Sequence, residues 1–340
     1  MTPDSRTLLI AEAGVNHNGS LELALALVDA AAAADADAVK FQTFRADLLA
    51  SPEAPKARYQ EERTTRGESQ LTMLRALELS DADHRAIRAR CDERAIEFIS
   101  SPFDLRSIDL LATLGIRRIK VPSGELTNVP YLRRIAALRI PVLLSTGMAT
   151  LDEARAAVAV LEAAGCPRSR LTLLQCSTEY PTPPGDVNLR AMLTLRDQLA
   201  VAVGYSDHTE GISVPVAAVA LGASVIEKHL TLDRTLPGPD HRASLEPEQF
   251  AAMARAIREV ELALGDDVKR PTSAEAETAA AARKSIVAAR AIAAGERLTE
   301  DALAVKRPGT GISPLHWDEV VGLIATRAYA PDEQIAEPLP

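Results

Sequence analysis

Aromatic residues are scarce in this chain: they make up 3% of its 340 residues, and there is a single tryptophan. A core must therefore be built from Leu, Ile, Val and Ala, and alanine favours helices that can approach closely. Cysteine is nearly absent as well. Cys91, Cys166 and Cys176 lie far apart without metal-ligand spacing, and three cannot all pair. That excludes a disulfide framework and predicts a reducing, cytoplasmic setting. Long apolar runs are missing, because Asp, Glu and Arg interrupt the Ala-rich stretches well short of a membrane span. No basic region precedes an apolar one near the N-terminus, so no export signal is expected. Positive charge is in deficit: 38 Lys and Arg stand against 47 Asp and Glu, a net charge of -9. Broad nucleic-acid binding is excluded on that ground. Small anions remain admissible, since a few lysines can dominate a cleft in an acidic protein.

What is present is a soluble, globular composition, 47% hydrophobic and 25% charged, long enough for one large domain and a small one. Short apolar runs alternate with helical patterns. Strands are expected at 7–13, 38–44, 96–103, 118–121, 142–144, 171–174, from 201 and from 224. Helices are expected between them, with Ser20 and Ser80 as N-caps. The stretch 46–79 reads as a long polar loop, of the kind that is usually functional. It includes Arg58-Tyr59-Gln60 and Glu68-Ser69-Gln70, which read by default as solvated. Eight strands alternating with eight helices, each strand ending in polar residues, predict a (β/α)8 TIM barrel. An open parallel sheet is the competing architecture, but Gly14 and Gly19 do not match the dinucleotide fingerprint after the first strand. The barrel is assigned to 1–265, a polar, partly helical linker to 266–282, and a compact module of short strands and turns to 283–340.

Candidate chemistry gathers at the expected strand exits, the catalytic mouth of such a barrel. His208 and His229 end the seventh and eighth runs. They read either as ligands of a divalent metal, with water or substrate oxygens completing the sphere, or as two hydrogen-bonding histidines at a polar rim. His17 and His241 are further mouth candidates, while His84 and His316 read as packing or surface residues. Lys40 and Lys120 need anionic partners if buried. A phosphate or carboxylate ligand would serve, with Ser101, Ser123, Ser145 and Ser206 as donors. Salt bridges to Glu12, Glu125 or Glu227 would serve equally, and a Schiff-base lysine is a third possibility. Glu12, Glu125, Glu227 and Asp240 are the carboxylates available for acid–base work. Arg307, framed by Pro308 and Gly309, is a turn residue or a rigid finger.

Nine motifs in order carry a resemblance. They are Ile10-Ala11-Glu12 with Asn16-His17-Asn18-Gly19, Val39-Lys40-Phe41-Gln42-Thr43-Phe44, Ser101-Pro102-Phe103-Asp104, Lys120-Val121-Pro122-Ser123-Gly124-Glu125, Leu144-Ser145-Thr146-Gly147-Met148, Glu179-Tyr180-Pro181-Thr182-Pro183, Tyr205-Ser206-Asp207-His208, Ile226-Glu227-Lys228-His229 and Gly238-Pro239-Asp240-His241. Together they resemble the sialic acid synthase family. The tail, Arg283-Lys284-Ser285-Ile286-Val287-Ala288 with 306–312, resembles that family's C-terminal antifreeze-like (SAF, β-clip) domain. The resemblance implies a condensation of phosphoenolpyruvate with an open-chain N-acetylated amino sugar, releasing phosphate by C–O cleavage. N-acetylmannosamine, giving N-acetylneuraminate, is the leading substrate. A 2,4-diacetamido-2,4,6-trideoxyhexose, giving N,N'-diacetyllegionaminate or pseudaminate, is the alternative.

By the same resemblance His208 and His229 match Mn2+ or Mg2+ ligands. Lys40, Gln42, Lys120, Ser123, Ser145 and Ser206 match the phosphoenolpyruvate pocket, with Ser101 where the family often has Thr. Glu12, Thr178, Tyr180 and Asp240 match positions around metal and sugar, and Glu125 and Glu227 are candidates for handling water. A domain-swapped homodimer is implied, in which Arg307 reaches the N-acetyl group of the other subunit's substrate. A pyruvate aldolase or a non-catalytic binding protein on the same barrel are the rival classes.

Overall fold

The computed structural model describes residues 6–64 and 67–339, without the side chains of residues 58, 59 and 62; the side chains of the Arg58-Tyr59 part of the loop pattern noted above therefore lie outside what is described. The chain divides into two compact units, one ending at Asp266 and the other beginning at Asp267.

The first unit is built on eight strands. They are β1 (Leu8–Gly14), β2 (Ala38–Thr43), β3 (Glu97–Pro102), β4 (Ile119–Val121), β5 (Val142–Ser145), β6 (Leu171–Cys176), β7 (Ala202–Asp207) and β8 (Val225–His229). Their order is β3-β2-β1-β8-β7-β6-β5-β4, with every hydrogen-bonded pair parallel. β3 and β4 are neighbours without a ladder and complete a nearly closed ring. Helices follow the strands, as expected. Ser20 caps Leu21–Ala33 and Ser80 caps Asp81–Glu93, each side chain accepting from a backbone N–H three residues on.

Side chains alternate across each strand, and this alternation builds the site. Ile10, Ala38, Ile99, Leu143, Leu174 and Val225 form a plug inside the ring. Their neighbours, such as Leu9, Val39, Phe98, Leu144, Leu173 and Ile226, pack outward against the helices. Two residues beyond each plug residue stand Glu12, Lys40, Ser101, Ser145, Cys176 and Glu227, facing the same interior one layer higher. The outer layer compensates for few aromatics with small side chains. Ala24, Ala31, Ala154, Ala157, Ala218 and Ala254 are all buried there, and Phe41 and Phe98 stack with centroids 6.2 Å apart.

β7 contributes a glycine to the plug layer. A Cβ on Gly204 would lie 2.5 Å from the Val225 carbonyl oxygen and 2.6 Å from Leu174 Cδ2. Gly204→Ala is therefore expected to cost about 1–3 kcal/mol by overpacking. Thermal unfolding should show it as a Tm lowered by several degrees, and an unchanged Tm would mean that this contact is not tight.

β7 and β8 begin where expected, and their polar ends pair with each other in register, Ser206 with Glu227 and Asp207 with Lys228. One expectation needs revising. The stretch 46–79 is not irregular. It holds helices at Ala46–Leu49, Arg58–Arg63 and Gln70–Leu77, the last capped by Ser69 and burying Leu71, Met73 and Leu77. The linker is partly helical, in line with its sequence: Ser273–Ala282 has a Thr272–Glu275 capping box and no buried residue, so local propensity and capping carry it.

The second unit pairs β9 (Ser285–Ala288) antiparallel with β10 (Leu303–Lys306). Ile286, Ile292, Leu298, Val320, Tyr329 and Ile335 fill its own core. Ser285 Oγ bonds both the Pro308 carbonyl (2.7 Å) and Gly311 N–H (2.8 Å), tying down the turn after the exposed Arg307. Among the described residues no helix is long and apolar enough to cross a membrane, and all three cysteines are buried and unpaired.

Candidate active site

A cavity of 420 Å³ opens at the C-terminal ends of the barrel strands. Fourteen of the sixteen residues matched by the resemblance line it: Glu12, Lys40, Gln42, Ser101, Lys120, Ser123, Ser145, Thr178, Tyr180, Ser206, His208, Glu227, His229 and Asp240. Glu125 is not among the lining residues; its carboxylate, in the turn after β4, accepts from Asn128 Nδ2 (2.6 Å). Arg307 belongs to the second unit.

The floor is a buried chain of alternating charge. Lys40 Nζ lies 2.7 Å from Glu12 Oε1 and 3.6 Å from Glu227 Oε1, and donates to Ser101 Oγ (3.2 Å). Lys120 Nζ donates to Glu227 Oε1 (3.1 Å), which also accepts from Ser206 Oγ (3.0 Å). Of the partners weighed for the lysines, Glu12 and Glu227 are used. The two carboxyls are tuned apart. Burial pushes Glu12 up to about 7, outweighing Lys40. Burial pushes Glu227 the same way, but Lys120 and Lys40 together overcome it and draw that carboxyl down to about 2. Pairs of carboxyls separated in this way are a usual sign of divided acid and base roles. Glu12 Oε2, Glu227 Oε2, Ser145 Oγ and His229 Nδ1 are buried without a hydrogen-bond partner among the described residues. Unmatched buried polar atoms are costly, and all four belong to residues that line the cavity.

The two histidines stand beside this floor, their ring centroids 5.4 Å apart. Tyr180 packs over both, at 4.0 Å from the His208 ring and 5.7 Å from that of His229. Burial lowers both imidazoles, His208 to about 4, so both are neutral near pH 7. His208 Nδ1 bonds the Ser177 carbonyl. A carbonyl only accepts, so Nδ1 carries the proton and Nε2 keeps its lone pair. Asp240 is also in the lining, its carboxyl raised to about 6 by burial against the pull of Arg63 and Lys40.

His17 and His241 are buried but hold loops rather than the cavity. His17 Nδ1 accepts from Gly19 N–H (3.0 Å), and His241 bridges Thr231 Oγ1 (2.7 Å) and Asn18 Oδ1 (3.3 Å). His84 is a packing residue on Thr43 Oγ1 (2.9 Å), and His316 sits near the surface with Glu319.

Sequence reasoning missed the apolar side of the cavity. Leu49, Met73, Leu74 and Leu77, from the supposed loop, line it with Val15 and Phe103, and these six pack as one cluster with Phe44. The available signal was Ser69 as an N-cap with Met73 and Leu77 four residues apart.

The whole chain can be compared with known proteins on this basis. The family model described as "NeuB family" matches residues 27–269, and that of the SAF domain matches 283–338. This chain belongs to the NeuB family. The match takes in β2 to β8, and with the similarity to the synthases below the chain is an enzyme of the nonulosonic acid synthase class. An N,N'-diacetyllegionaminic acid synthase of Campylobacter jejuni is 49% identical over 332 residues, covering 98% of this chain and 99% of that protein. One from Legionella pneumophila is 47% identical, covering 92% and 89%. Among solved structures, an N-acetylneuraminic acid synthetase from Leptospira borgpetersenii superposes with a TM-score of 0.70 at 33% identity, covering 80% of this chain and 90% of that one. The NeuB barrel and SAF domain are thus those expected from the motifs.

Proposed function

We propose that this NeuB-family enzyme condenses phosphoenolpyruvate with an open-chain 2,4-diacetamido-2,4,6-trideoxyhexose, giving N,N'-diacetyllegionaminate and phosphate. This prefers the alternative substrate to N-acetylmannosamine. The observation that carries it is the apolar wall of Leu49, Met73, Leu74 and Leu77. A 6-deoxy sugar presents a methyl group where N-acetylmannosamine presents a hydroxymethyl. Apolar side chains gain about 0.8 kcal/mol per buried carbon from a methyl and leave a hydroxyl unmatched. A 6-phosphate fits less well still, since Lys40 and Lys120 are the only cations among the described lining residues. The names of the relatives at 49% and 47% identity support the same substrate.

The geometry supports the following roles. Lys40 and Lys120, with Ser101, Ser123, Ser145 and Ser206, hold the carboxylate and phosphate of phosphoenolpyruvate, trading contacts with Glu12 and Glu227 for contacts with the ligand. His208 and His229 fit a divalent cation, Mn2+ or Mg2+: both are neutral, one has a fixed lone pair, and His229 has an unpartnered nitrogen. No cluster of three or more His, Cys, Asp or Glu is a metal cage among the described residues, so these two histidines would hold the cation together with oxygens from water or substrate. A cation held there supplies Lewis-acid polarisation of the sugar aldehyde. C3 of phosphoenolpyruvate forms the new bond to that carbon, water adds at C2, and phosphate leaves with its bridging oxygen. Glu12, whose carboxyl burial raises toward the protonated form and whose Oε1 touches Lys40, is suited to take and return a proton. Glu227 stays ionised and orients the lysines. Gln42, Thr178, Tyr180 and Asp240 surround the sugar, with Glu125 at the margin.

The same proposal keeps the domain division 1–265, 266–282 and 283–340, and a homodimer in which Arg307 of one subunit serves the sugar of the other.

Phosphate release from phosphoenolpyruvate tests the reading directly. With Mn2+ present, the diacetamido-trideoxyhexose should give a kcat/KM about tenfold or more above N-acetylmannosamine, the range one such group is worth. N-acetylmannosamine 6-phosphate and a chelated control should give little. Preference for N-acetylmannosamine would restore the leading expectation from sequence, and no release with any sugar would leave an aldolase or a binding protein.

A further inference from the structure

Behind the two histidines stands a charge pair that the chemistry above does not use. Ser206, His208, Glu227 and His229 line the cavity. Asp207 and Lys228, which alternate with them and pair in register, face the other way and have fully enclosed side chains. Lys228 Nζ donates to Asp207 Oδ2 (2.5 Å) and to the Thr209 carbonyl (2.5 Å). Asp207 in turn accepts from Thr209 N–H (2.9 Å) and Thr209 Oγ1 (3.1 Å). The ammonium on the residue before His229 thus grips the residues on both sides of His208.

A buried ion pair is a poor source of stability, because desolvation offsets the attraction and an apolar pair of the same volume often serves as well. What the pair supplies is direction. A carboxylate and a carbonyl bonded to one ammonium permit far fewer arrangements than apolar contact does. Here they join the end of β7 to the end of β8 at the two points from which the imidazoles project. We propose that Lys228 is a positioning residue: its hold on Asp207 and Thr209 sets the separation of His208 and His229, and with it their joint grip on a divalent cation. This rests on the two-histidine metal reading above.

The test is Mn2+ binding to the full-length protein without substrates, followed by the electron paramagnetic resonance signal of free Mn2+, beside thermal unfolding. Asp207→Leu with Lys228→Met removes both charges and leaves none stranded. It should keep a melting temperature near the wild type yet bind Mn2+ about 10–100-fold more weakly, as loss of ligand-orienting partners does elsewhere. Its kcat should recover as Mn2+ is raised, which a general packing defect would not allow. Asp207→Asn, nearly isosteric, should weaken Mn2+ binding several-fold and covers the case in which the double variant does not fold. Wild-type Mn2+ affinity in a folded variant of either kind overturns the proposal. A His208→Ala, His229→Ala protein that binds Mn2+ as well as the wild type overturns the metal reading itself, and the role of Lys228 with it.

Discussion

Lys40→Met is expected to lower both turnover and stability, and to lower stability more as pH rises. The ammonium touches Glu12 Oε1 at 2.7 Å, Ser101 Oγ at 3.2 Å and Glu227 Oε1 at 3.6 Å, all within the buried floor. Removing one partner of a buried charged cluster costs about 3–5 kcal/mol. The pH dependence follows from Glu12, which burial already raises from 4.5 to about 7 with Lys40 in place. Without that lysine, burial and Glu227 act with less opposition and raise it further. A carboxyl whose folded pKa exceeds its unfolded one stabilises below the unfolded value and loses that contribution as pH rises through the folded value. The deficit of the variant in urea unfolding should therefore be larger at pH 8 than at pH 5. Phosphate release should fall about a hundredfold, since a hydrogen bond to a charged group is worth up to about 3 kcal/mol. Adding Glu12→Gln to Lys40→Met should return part of the stability and none of the activity. Equal deficits at pH 5 and 8 would mean that Lys40 does not govern Glu12.

His229→Ala is expected to separate catalysis from stability. On the metal reading proposed above, its loss forfeits several kcal/mol of charge stabilisation at the reacting aldehyde, about a thousandfold or more in rate. Stability without metal should barely change. The cavity left by the ring costs energy, but the buried Nδ1 without a partner is removed with it, and such an atom costs about 1–3 kcal/mol. Added Mn2+ should raise the Tm of the wild type, because it binds only the folded protein, and should leave that of the variant unmoved. An equal rise in both would remove His229 from the metal site.

The legible part of this protein was periodic. Plug residues such as Ile10, Ile99 and Val225 recur among apolar neighbours, and the polar residue two positions on announces the mouth in Glu12, Ser101 and Glu227. Residue order and period two were enough to place these, because parallel barrel strands present alternate side chains inward at one height. The apolar wall was not legible. Met73, Leu74 and Leu77 lie in a polar stretch, and their helix reaches the mouth by close approach to the β1 loop, where a Cβ on Gly19 would stand 2.4 Å from the Ala76 carbonyl. Lys228 was visible only as one member of a polar triplet, although Glu227 and His229 turn inward while it turns outward to Asp207.

By itself, then, the amino-acid order determined the barrel, the SAF unit, the motifs of the NeuB family and nearly all the polar residues of the cavity, since each is written in local periodicity or a short motif. Only the tertiary structure decided that Glu12 and Glu227 share Lys40 while burial raises the one carboxyl and two lysines lower the other, that an apolar wall lines the cavity, and that Lys228 ties β7 to β8. Each depends on burial and on distances between segments far apart in the chain, and neither quantity has a local signature.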